Sequence, residues 1–346
     1  MGKHLTVNNK PLIIAGPCSV ESFQQLHNVA LLLSGDSRIG FMRFGVWKPR
    51  TRPGGFEGLG EPALQWAAAV KKEFPSLSLC CEVARTEHVE LCLKYGIDAV
   101  WIGARTSVNP FLVSELAEVL KDGNLAVMVK NPITPDVDLW MGAIERIMQA
   151  GVSDIAAVHR GFSTYNNFNY RNNPLWEIPI ELKRRMPELP LLCDPSHIGG
   201  RHQLVATLSQ MALDLHFDGL MIECHPEPEN ALTDSQQQIT PAELSKLLDS
   251  LQYRTFNEIA PSELLLLREQ LDIIDTQILK LLSQRMKISK DIGTIKHRHN
   301  MPIFQPQRWQ QVLEHQIAAG KEMGLNEQFI KELSEKIHGE SLRQQE

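Results

Sequence analysis

Long hydrophobic runs are missing from this chain of 346 residues. No segment approaches the roughly 20 consecutive apolar residues of a membrane-spanning helix, and residues 1–10 contain no apolar core of a secretion signal. The net charge of −6 gives no reason to expect binding to nucleic acid or to an anionic membrane surface. We therefore expect small-molecule ligands and neither nucleic-acid nor membrane partners.

Cysteines are few, and their spacing matches neither a disulfide framework nor a zinc finger. Of the six cysteines, several lie inside apolar runs, such as Cys80, Cys81 and Cys193. This pattern predicts free thiols in a reducing, cytoplasmic compartment.

The length is sufficient for one large domain and a smaller one. Composition changes near Asp249, where a polar, irregular stretch follows and Pro261-Ser262 signals a helix start. We expect a first domain at residues 1–250, a linker at 251–261 and a second domain at 262–346.

Eight short apolar runs recur in the first two thirds of the chain, with helical patterns between them. They begin near residues 11, 39, 76, 98, 125, 153, 189 and 219. Spacings of roughly 20 to 40 residues fit successive βα units, and eight such units close a barrel of about 250 residues. The spacing also fits an open doubly wound sheet, but the number of units favours the (β/α)8 barrel.

Coordinating side chains follow the last two runs. Asp194 and His197 come after LPLLC, Glu223 ends GLMIE, and Asp234 follows in a polar loop. Because the carboxyl ends of parallel strands meet on one rim, His197, Glu223 and Asp234 are expected to converge as a metal site. Taken singly, each has an equally good structural explanation, as a core histidine, a paired acid or a helix cap.

Cys18 ends the first run on the same rim. A free cysteine is usually a small buried hydrophobic residue, so a structural Cys18 in a barrel without metal is one alternative. As a fourth ligand it would complete a mixed set of soft and hard donors. Such a set suits one divalent ion of Mn, Fe, Co or Zn, and the spacing does not choose among them.

Six basic residues also lie at or just after the ends of the predicted strands: Arg43, Lys48, Arg50, Arg105, Lys130 and Arg160. Like charges packed together are unfavourable unless an anion neutralises them. Guanidinium groups bind carboxylate and phosphate in a bidentate manner. The pattern favours an anion-binding rim over scattered surface charge.

The strings GPCSVES, KPRT, IGAR, VKNP, HRG, CDPSHIGGR and MIECHPEPENALTDSQQQ occur in this order over about residues 11–248. Together they resemble the 3-deoxy-D-arabino-heptulosonate 7-phosphate (DAHP) synthases, which open the shikimate pathway. The resemblance implies a TIM barrel that condenses phosphoenolpyruvate with erythrose 4-phosphate. It implies a metal bound by Cys18, His197, Glu223 and Asp234. The sequence does not decide which group activates the attacking water, for which Glu82 and a metal-bound water are the candidates.

The resemblance also implies how the substrates are bound. Phosphoenolpyruvate is expected to meet Arg43, Lys48, Arg105, Lys130 and Arg160, with Lys48 also catalytic. Erythrose 4-phosphate is expected to meet Arg50 and Thr51. The similar synthases that use arabinose 5-phosphate carry Ala-Asn in place of Pro49-Arg50-Thr51. This difference favours the four-carbon aldehyde, and an arabinose 5-phosphate synthase is the alternative.

Residues 263–297 contain no proline and show apolar residues at alternating steps of three and four. This seam comprises Leu264, Leu267, Leu271, Ile274, Ile278, Leu281, Ile288, Ile292 and Ile295. It predicts a helix roughly 50 Å long, which requires partner helices. Helical patterns at 307–319 and 327–343 supply some partners, and a second copy of the chain supplies the others. We therefore predict a homodimer through this domain.

Arg285 interrupts the apolar seam, where an unpaired charge is costly. Lys296 returns to nearly the same face about 16 Å further along, so the two can bind one small dianion. Arg268 lies roughly 25 Å from Arg285 on another face and can join them only from an antiparallel partner helix. The alternative is a coiled coil whose basic side chains reach solvent.

The string LLLLREQLDIIDTQILKLLSQRMKISKDIGTIK resembles the all-helical chorismate mutases, over about residues 262–345. The resemblance implies the rearrangement of chorismate to prephenate without a cofactor. The residues that it implicates are Arg268 of the partner subunit, Arg285, Lys296, Arg308, Ser341 and Gln345, of which Arg285, Lys296 and Gln345 are catalytic.

Two positions depart from that family. Gln305 and Trp309 stand where its FDPxRE motif has an aspartate and a glutamate. The departures predict either weak mutase activity or a missing contact that another group supplies. The alternative is a non-catalytic dimerisation and sensing module. The fusion of the two domains also suggests that chorismate or prephenate bound to the helices controls the barrel.

Overall fold

The structure is a computed structural model that describes residues 4–5, 10–48, 54–121, 123–165, 169–254 and 262–345. The chain divides into two compact units, Met1–Thr255 and Phe256–Glu346. Among the described helices, none is both long enough and apolar enough to cross a membrane.

Eight parallel strands of the described chain form a closed barrel in the first unit. They are β1 (Leu12–Gly16), β2 (Ile39–Phe44), β3 (Ser78–Val83), β4 (Ala99–Ile102), β5 (Ala126–Lys130), β6 (Ile155–His159), β7 (Leu191–Cys193) and β8 (Gly219–Glu223). Strand β8 pairs with β1, with Leu12 opposite Gly219 and Gly16 opposite Glu223. The predicted barrel is confirmed, and this closing pair excludes the open sheet.

The strands appear in the sequence as continuous apolar runs because both of their faces are covered. Every residue of β5, β6 and β8 is buried. Polar residues are confined largely to the carboxyl ends of these three strands, at Lys130, His159 and Glu223. The barrel therefore gathers its buried charged groups on one rim, where functional groups of this architecture lie.

Helices alternate with the strands. They are α1 (Phe23–Ser34), α2 (Glu61–Glu73), α3 (Thr86–Lys94), α4 (Pro110–Leu120), α5 (Val137–Gln149), α6 (Glu177–Arg185), α7 (Pro195–Gly199), α8 (Val205–Asp214) and α9 (Pro241–Ser250). Local sequence sets several helix starts. Asn109 accepts hydrogen bonds from two backbone N–H groups of α4, and Thr240 forms a capping box with Glu243 at α9.

Helix α8 does not follow directly from α7. Gly200 ends α7 in the left-handed conformation, and the backbone of Arg201 is extended. A 3-10 turn over His202–Leu204 then leads into α8.

Gly16 is required by the approach of two strands. Its φ is +149°, and a Cβ at this position would lie 2.0 Å from the backbone oxygen of Arg43. A larger residue would push β1 away from β2 just where β2 carries Arg43.

Three helices make up the described part of the second unit: α10 (Ser262–Arg298), α11 (Pro306–Glu322) and α12 (Glu327–Arg343). Helix α12 packs against both α10 and α11. Ile330 of α12 is buried, with its side chain against Gly320 of α11. The three predicted helices agree with these bounds to within a few residues.

The apolar seam of α10 remains exposed in the single chain. Its least exposed member is Leu264 at 39%, and Leu281 reaches 64%. Helix α12 therefore covers another part of α10, and the seam is an uncovered apolar face of one protomer.

Candidate functional site

Three of the predicted metal ligands form one cluster at the carboxyl rim of the barrel. The Cys18 sulfur and one oxygen each of Glu223 and Asp234 lie within 4.8 Å of one another. The Cys18 Sγ is 3.3 Å from Asp234 Oδ2. The pairing of β1 with β8 brings Cys18 and Glu223 to the same point. Asp234 reaches it from a loop in which its φ is +49°, a left-handed conformation that aspartate adopts more readily than most residues.

His197 lies beside this cluster, on α7 directly after β7. Its Nε2 is 3.8 Å from Glu223 Oε1, and its Nδ1 is 2.8 Å from Oδ2 of the buried Asp194. Burial lowers the pKa of His197, which favours a neutral ring with its proton on the side of Asp194. The Nε2 lone pair then faces a carboxylate oxygen, and a cation between them stabilises both acceptors.

The donor set fits a divalent cation. Thiolate, imidazole and carboxylate together suit a borderline ion rather than magnesium or calcium. Burial, reinforced by Glu223, raises the pKa of Cys18 to about 12. A metal ion that binds there must therefore displace the thiol proton.

Three of the predicted rim cations are paired within the protein. An Arg43 Nη atom lies 2.9 Å from Glu223 Oε1, and Lys130 Nζ lies 2.7 Å from Asp194 Oδ2. Lys48 Nζ donates to the Cys18 backbone oxygen at 3.1 Å and to its sulfur at 3.0 Å. Acidic groups of the chain thus offset part of the positive charge of the rim. From the sequence, a bound anion was expected to neutralise all of it.

The protonation of these groups follows from their surroundings. Burial by itself raises the pKa of Asp194, but His197, Lys130 and Arg43 hold it well below its usual value. Burial by itself lowers the pKa of Lys48, but the Cys18 sulfur and the Glu223 carboxylate raise it above its usual value. The Asp194 carboxylate and the Lys48 ammonium are therefore both charged at neutral pH.

The three remaining rim cations differ in their surroundings, since Arg160 is buried, Arg105 is exposed and Arg50 lies outside the described residues. Arg160 follows β6 and donates to Asn172 Oδ1 at 2.7 Å, and burial lowers its pKa to about 10. Arg105 follows β4 and is exposed. Arg50 and Thr51 lie outside the described residues, which resume after a gap at 49–53.

Several site residues were not identified from the sequence. Asp194 stands in the string CDPSH, but its position at a strand end did not show that it pairs with Lys130 and His197. Gln237 donates to Glu223 Oε2 at 2.6 Å, and Arg171 lies 3.0 Å from Asp234 Oδ1. Glu82, by contrast, was named from the sequence as a candidate for activating the water, and it packs against Gly103, where a Cβ would lie 2.1 Å from its carboxylate.

The helical unit brings its own polar residues together. An Arg285 Nη atom contacts Ser341 Oγ, which links α10 to α12. Lys296 Nζ donates to Gln345 Oε1 at 3.0 Å and to the Ile303 backbone oxygen at 2.5 Å. Four of the residues predicted for this domain thus form two contacting pairs.

Arg268 and Arg308 are exposed on α10 and α11. Trp309, at the position of the family glutamate, stacks on His338 of α12 with ring centroids 4.0 Å apart. Gln305 is the residue before α11. The two positions that depart from the family pattern therefore lie at the start of α11, and one of them packs against α12.

Known proteins resemble the chain over the barrel. It is 32% identical to phospho-2-dehydro-3-deoxyheptonate aldolase of Thermotoga maritima, over 69% of this chain and 70% of that protein. It is 27% identical to 2-dehydro-3-deoxyphosphooctonate aldolase of Wolinella succinogenes, over 69% of this chain and 97% of that protein.

Solved structures of a DAHP synthase are similar to this chain over about the same fraction of its length. The crystal structure of the Thermotoga maritima DAHP synthase superimposes with a TM-score of 0.62 at 31% identity, covering 70% of this chain and 68% of the other. The truncated form of that enzyme gives 0.60 at 29% identity, covering 70% of this chain and 85% of the other. Residues 4–256 match the family model of the DAHP synthetase I family, and residues 267–346 match that of chorismate mutase type II. The chain therefore belongs to the DAHP synthetase I family and carries a chorismate mutase type II domain.

Proposed function

We propose that the barrel condenses phosphoenolpyruvate with erythrose 4-phosphate to form DAHP, with a divalent ion held by Cys18, His197, Glu223 and Asp234. The observation that carries this proposal is the cluster of thiol and carboxylate donors directly beside buried cations. The ion, when bound, supplies Lewis-acid polarisation of the aldehyde carbonyl.

The rim cations bind and orient phosphoenolpyruvate in this proposal. They are Arg43, Lys48, Arg105, Lys130 and Arg160. Arg43 and Lys130 are already held by Glu223 and Asp194, so they undergo little reorganisation when an anion arrives. The cations also reduce the repulsion between two phosphorylated substrates and so permit their close approach.

Lys48 is the proposed catalytic cation. Two of its three donors are used by the sulfur and the backbone oxygen of Cys18. The third is suited to a substrate oxygen, and the raised pKa keeps the ammonium charged at neutral pH. Arg50 and Thr51 are proposed to bind the phosphate of the aldehyde, which supports erythrose 4-phosphate over arabinose 5-phosphate.

A paired assay tests these assignments. The protein is dialysed against a chelator and assayed for phosphate release from phosphoenolpyruvate with each aldehyde, and for loss of chorismate absorbance. We expect loss of condensation, recovery with Mn, Fe, Co or Zn, and unchanged chorismate turnover. Condensation that survives chelation refutes the metal site, and preference for arabinose 5-phosphate refutes the aldehyde.

We further propose that the helical unit rearranges chorismate to prephenate. Arg285, Lys296 and Gln345 are the proposed catalytic residues, with Arg308, Ser341 and Arg268 of the partner subunit completing substrate binding. The contacts of Arg285 with Ser341 and of Lys296 with Gln345 support this grouping. The reaction needs no nucleophile, because the protein orients one conformer and stabilises charge on the ether oxygen.

A homodimer is part of this proposal. The exposed apolar seam of α10 is suited to packing against a second copy, and Arg268 lies roughly 25 Å along the helix from Arg285, too far to serve the same site from the same helix.

Mixing of two inactive variants tests the homodimer. Arg268→Ala and Lys296→Ala proteins are each expected to be inactive toward chorismate, whereas their mixture should regain up to about a quarter of the wild-type activity through hybrid dimers with one intact site. No recovery after verified exchange refutes the shared site.

A second candidate function for the helical unit is a sensing module that does not turn chorismate over. Trp309 stacked on His338 favours it, because an indole replaces the carboxylate of the family motif. In this case chorismate or prephenate binds the unit and changes the activity of the barrel. Condensation rates unchanged by saturating prephenate refute such control.

For the domain boundaries we propose residues 1–250, a linker at 251–261 and a helical domain at 262–346. The change in composition after Asp249 supports these limits. A fragment of residues 262–346 that shows no helical circular dichroism refutes an independently folding second domain.

A further inference from the structure

Arg171 lies between β6 and α6 and contacts the side chains around the proposed metal site. One Nη atom is 3.0 Å from Asp234 Oδ1 and 2.6 Å from Gln237 Oε1. Gln237 in turn donates its Nε2 to Glu223 Oε2 at 2.6 Å. One guanidinium therefore contacts one proposed ligand directly and a second ligand through a single amide.

The neighbouring Asn172 holds Arg171 in place. Its Nδ2 donates to the His197 backbone oxygen at 2.6 Å, and its Oδ1 accepts from Arg160 at 2.7 Å. Gly200 permits the close approach, because a Cβ there would lie 2.4 Å from that of Arg171. The segment is thus attached to the turn that carries His197.

In both Asp234 and Glu223, one carboxylate oxygen contacts Arg171 or Gln237 and the other faces the proposed metal site. Arg171 takes Oδ1 of Asp234, and Oδ2 lies 3.3 Å from the Cys18 sulfur. Gln237 donates to Oε2 of Glu223, and Oε1 faces an Arg43 Nη atom at 2.9 Å and His197 Nε2 at 3.8 Å. The orientation of the Gln237 amide follows from having a donor on one side and an acceptor on the other.

We infer that Arg171 is a positioning residue that determines which oxygen of Asp234 and, through Gln237, of Glu223 faces the divalent ion. This inference rests on the proposed metal site. Residues that hold ligands in this way commonly change metal affinity by about 10- to 100-fold when they are removed.

Arg201 provides a matched control. Arg171 and Arg201 line the same cavity of about 530 Å³. Arg201 donates to the Asn169 backbone oxygen at 2.7 Å, and within the described part of the chain it forms no ion pair with a proposed ligand. Removal of either guanidinium takes one positive charge from the cavity. Only removal of Arg171 also removes the contacts that hold the Asp234 and Glu223 carboxylates in place.

The test uses the full-length protein without metal, titrated with Co²⁺ and followed by the thiolate-to-cobalt absorption band and the visible d–d bands. We expect R171Q to weaken Co²⁺ binding by about 10- to 100-fold and to shift the d–d bands. R201Q should keep the wild-type affinity and spectrum. A merely structural role of Arg171 would leave the spectrum of the bound ion unchanged.

An R171Q protein that is folded by near-UV circular dichroism and binds Co²⁺ like the wild type overturns the inference. If R171Q does not fold, R171M decides, because methionine keeps an unbranched aliphatic side chain but cannot donate to Asp234 or Gln237. Affinity of R171M equal to that of R201Q then overturns the inference. Absence of Co²⁺ binding by the wild type refutes the proposed metal site itself, which is a separate outcome.

Discussion

The barrel rim and the helical unit hold charged groups in opposite ways. Arg43, Asp194 and Glu223 are at most 1% exposed and are paired with one another inside one barrel. In the helical unit, Arg285 is only partly buried and lies on a helix whose apolar seam is exposed. The comparison teaches that one chain buries and pairs the charges of the rim, whereas it leaves the apolar seam beside Arg285 exposed, as the proposed homodimer requires.

The energetic consequences differ as well. Removing one partner of a buried ion pair leaves an uncompensated charge, at a cost of about 3–5 kcal/mol. Exposed pairs contribute about 0–1 kcal/mol. Substitutions at the rim should therefore disturb both catalysis and stability, whereas those in the helical unit should act mainly on substrate binding and assembly.

The largest effect is expected at Glu223. Glu223→Gln removes a proposed ligand and leaves the Arg43 guanidinium without its carboxylate, so DAHP formation should fall by at least about 1,000-fold. Chorismate turnover should be unchanged. The matched control is Glu227→Gln, an exposed acid a few residues further along. Substantial condensation by the Glu223 variant would contradict the assignment.

A somewhat smaller effect is expected at Lys296. Lys296→Ala removes the proposed donor to the ether oxygen, which should lower kcat for chorismate by about 100- to 1,000-fold. Lys290→Ala, an exposed residue on the same helix, should have little effect. A parallel fall in DAHP formation by Lys296→Ala would contradict the expectation that substitutions in the helical unit leave the barrel site unaffected.

The third effect concerns acid stability and should be confined to the barrel. Burial, reinforced by Arg160, lowers the pKa of His159 to about 3, where the ring packs among Trp140, Phe162, Trp176 and Phe217. A neutral imidazole is thus favoured by folding, so its contribution is complete above pH 6.5 and declines toward pH 3. Between pH 7 and pH 5 the barrel should lose about 2 kcal/mol of unfolding free energy.

Denaturant titrations followed by near-UV circular dichroism at the two pH values measure this loss. His159→Phe should reduce the pH dependence, whereas His202→Gln, an exposed histidine, should retain it. Equal pH dependence in wild type and His159→Phe would show that His159 is not the responsible group.

The smallest effect is expected at Trp309. Trp309→Glu restores the carboxylate of the family motif at the start of α11, so chorismate turnover should rise by up to about tenfold, the equivalent of one charge-assisted hydrogen bond. Trp309→Gln is the uncharged control. A decrease with Glu would indicate that the stack on His338 is needed for the structure of the site.

Much of the fold follows from local patterns. Short apolar runs at regular spacing predicted each strand, and their number predicted the barrel. Cys18, His197, Glu223 and Asp234 were identifiable because each follows or ends such a run. The roles of Asp194, Arg171 and Gln237 were not identifiable, since they depend on partners distant in sequence, such as Lys130 for Asp194.

The sequence by itself determined the eight strands, the long helix and the chemistry of the donor groups, because periodicity and residue type are local properties. Only the tertiary structure decided that β8 closes on β1, that Asp194 and Glu223 pair with Lys130 and Arg43, and which carboxylate oxygens Arg171 and Gln237 contact. It also showed that the seam of α10 is not covered by α12. These features depend on how charges and apolar surfaces meet across the fold, and a linear pattern does not contain that information.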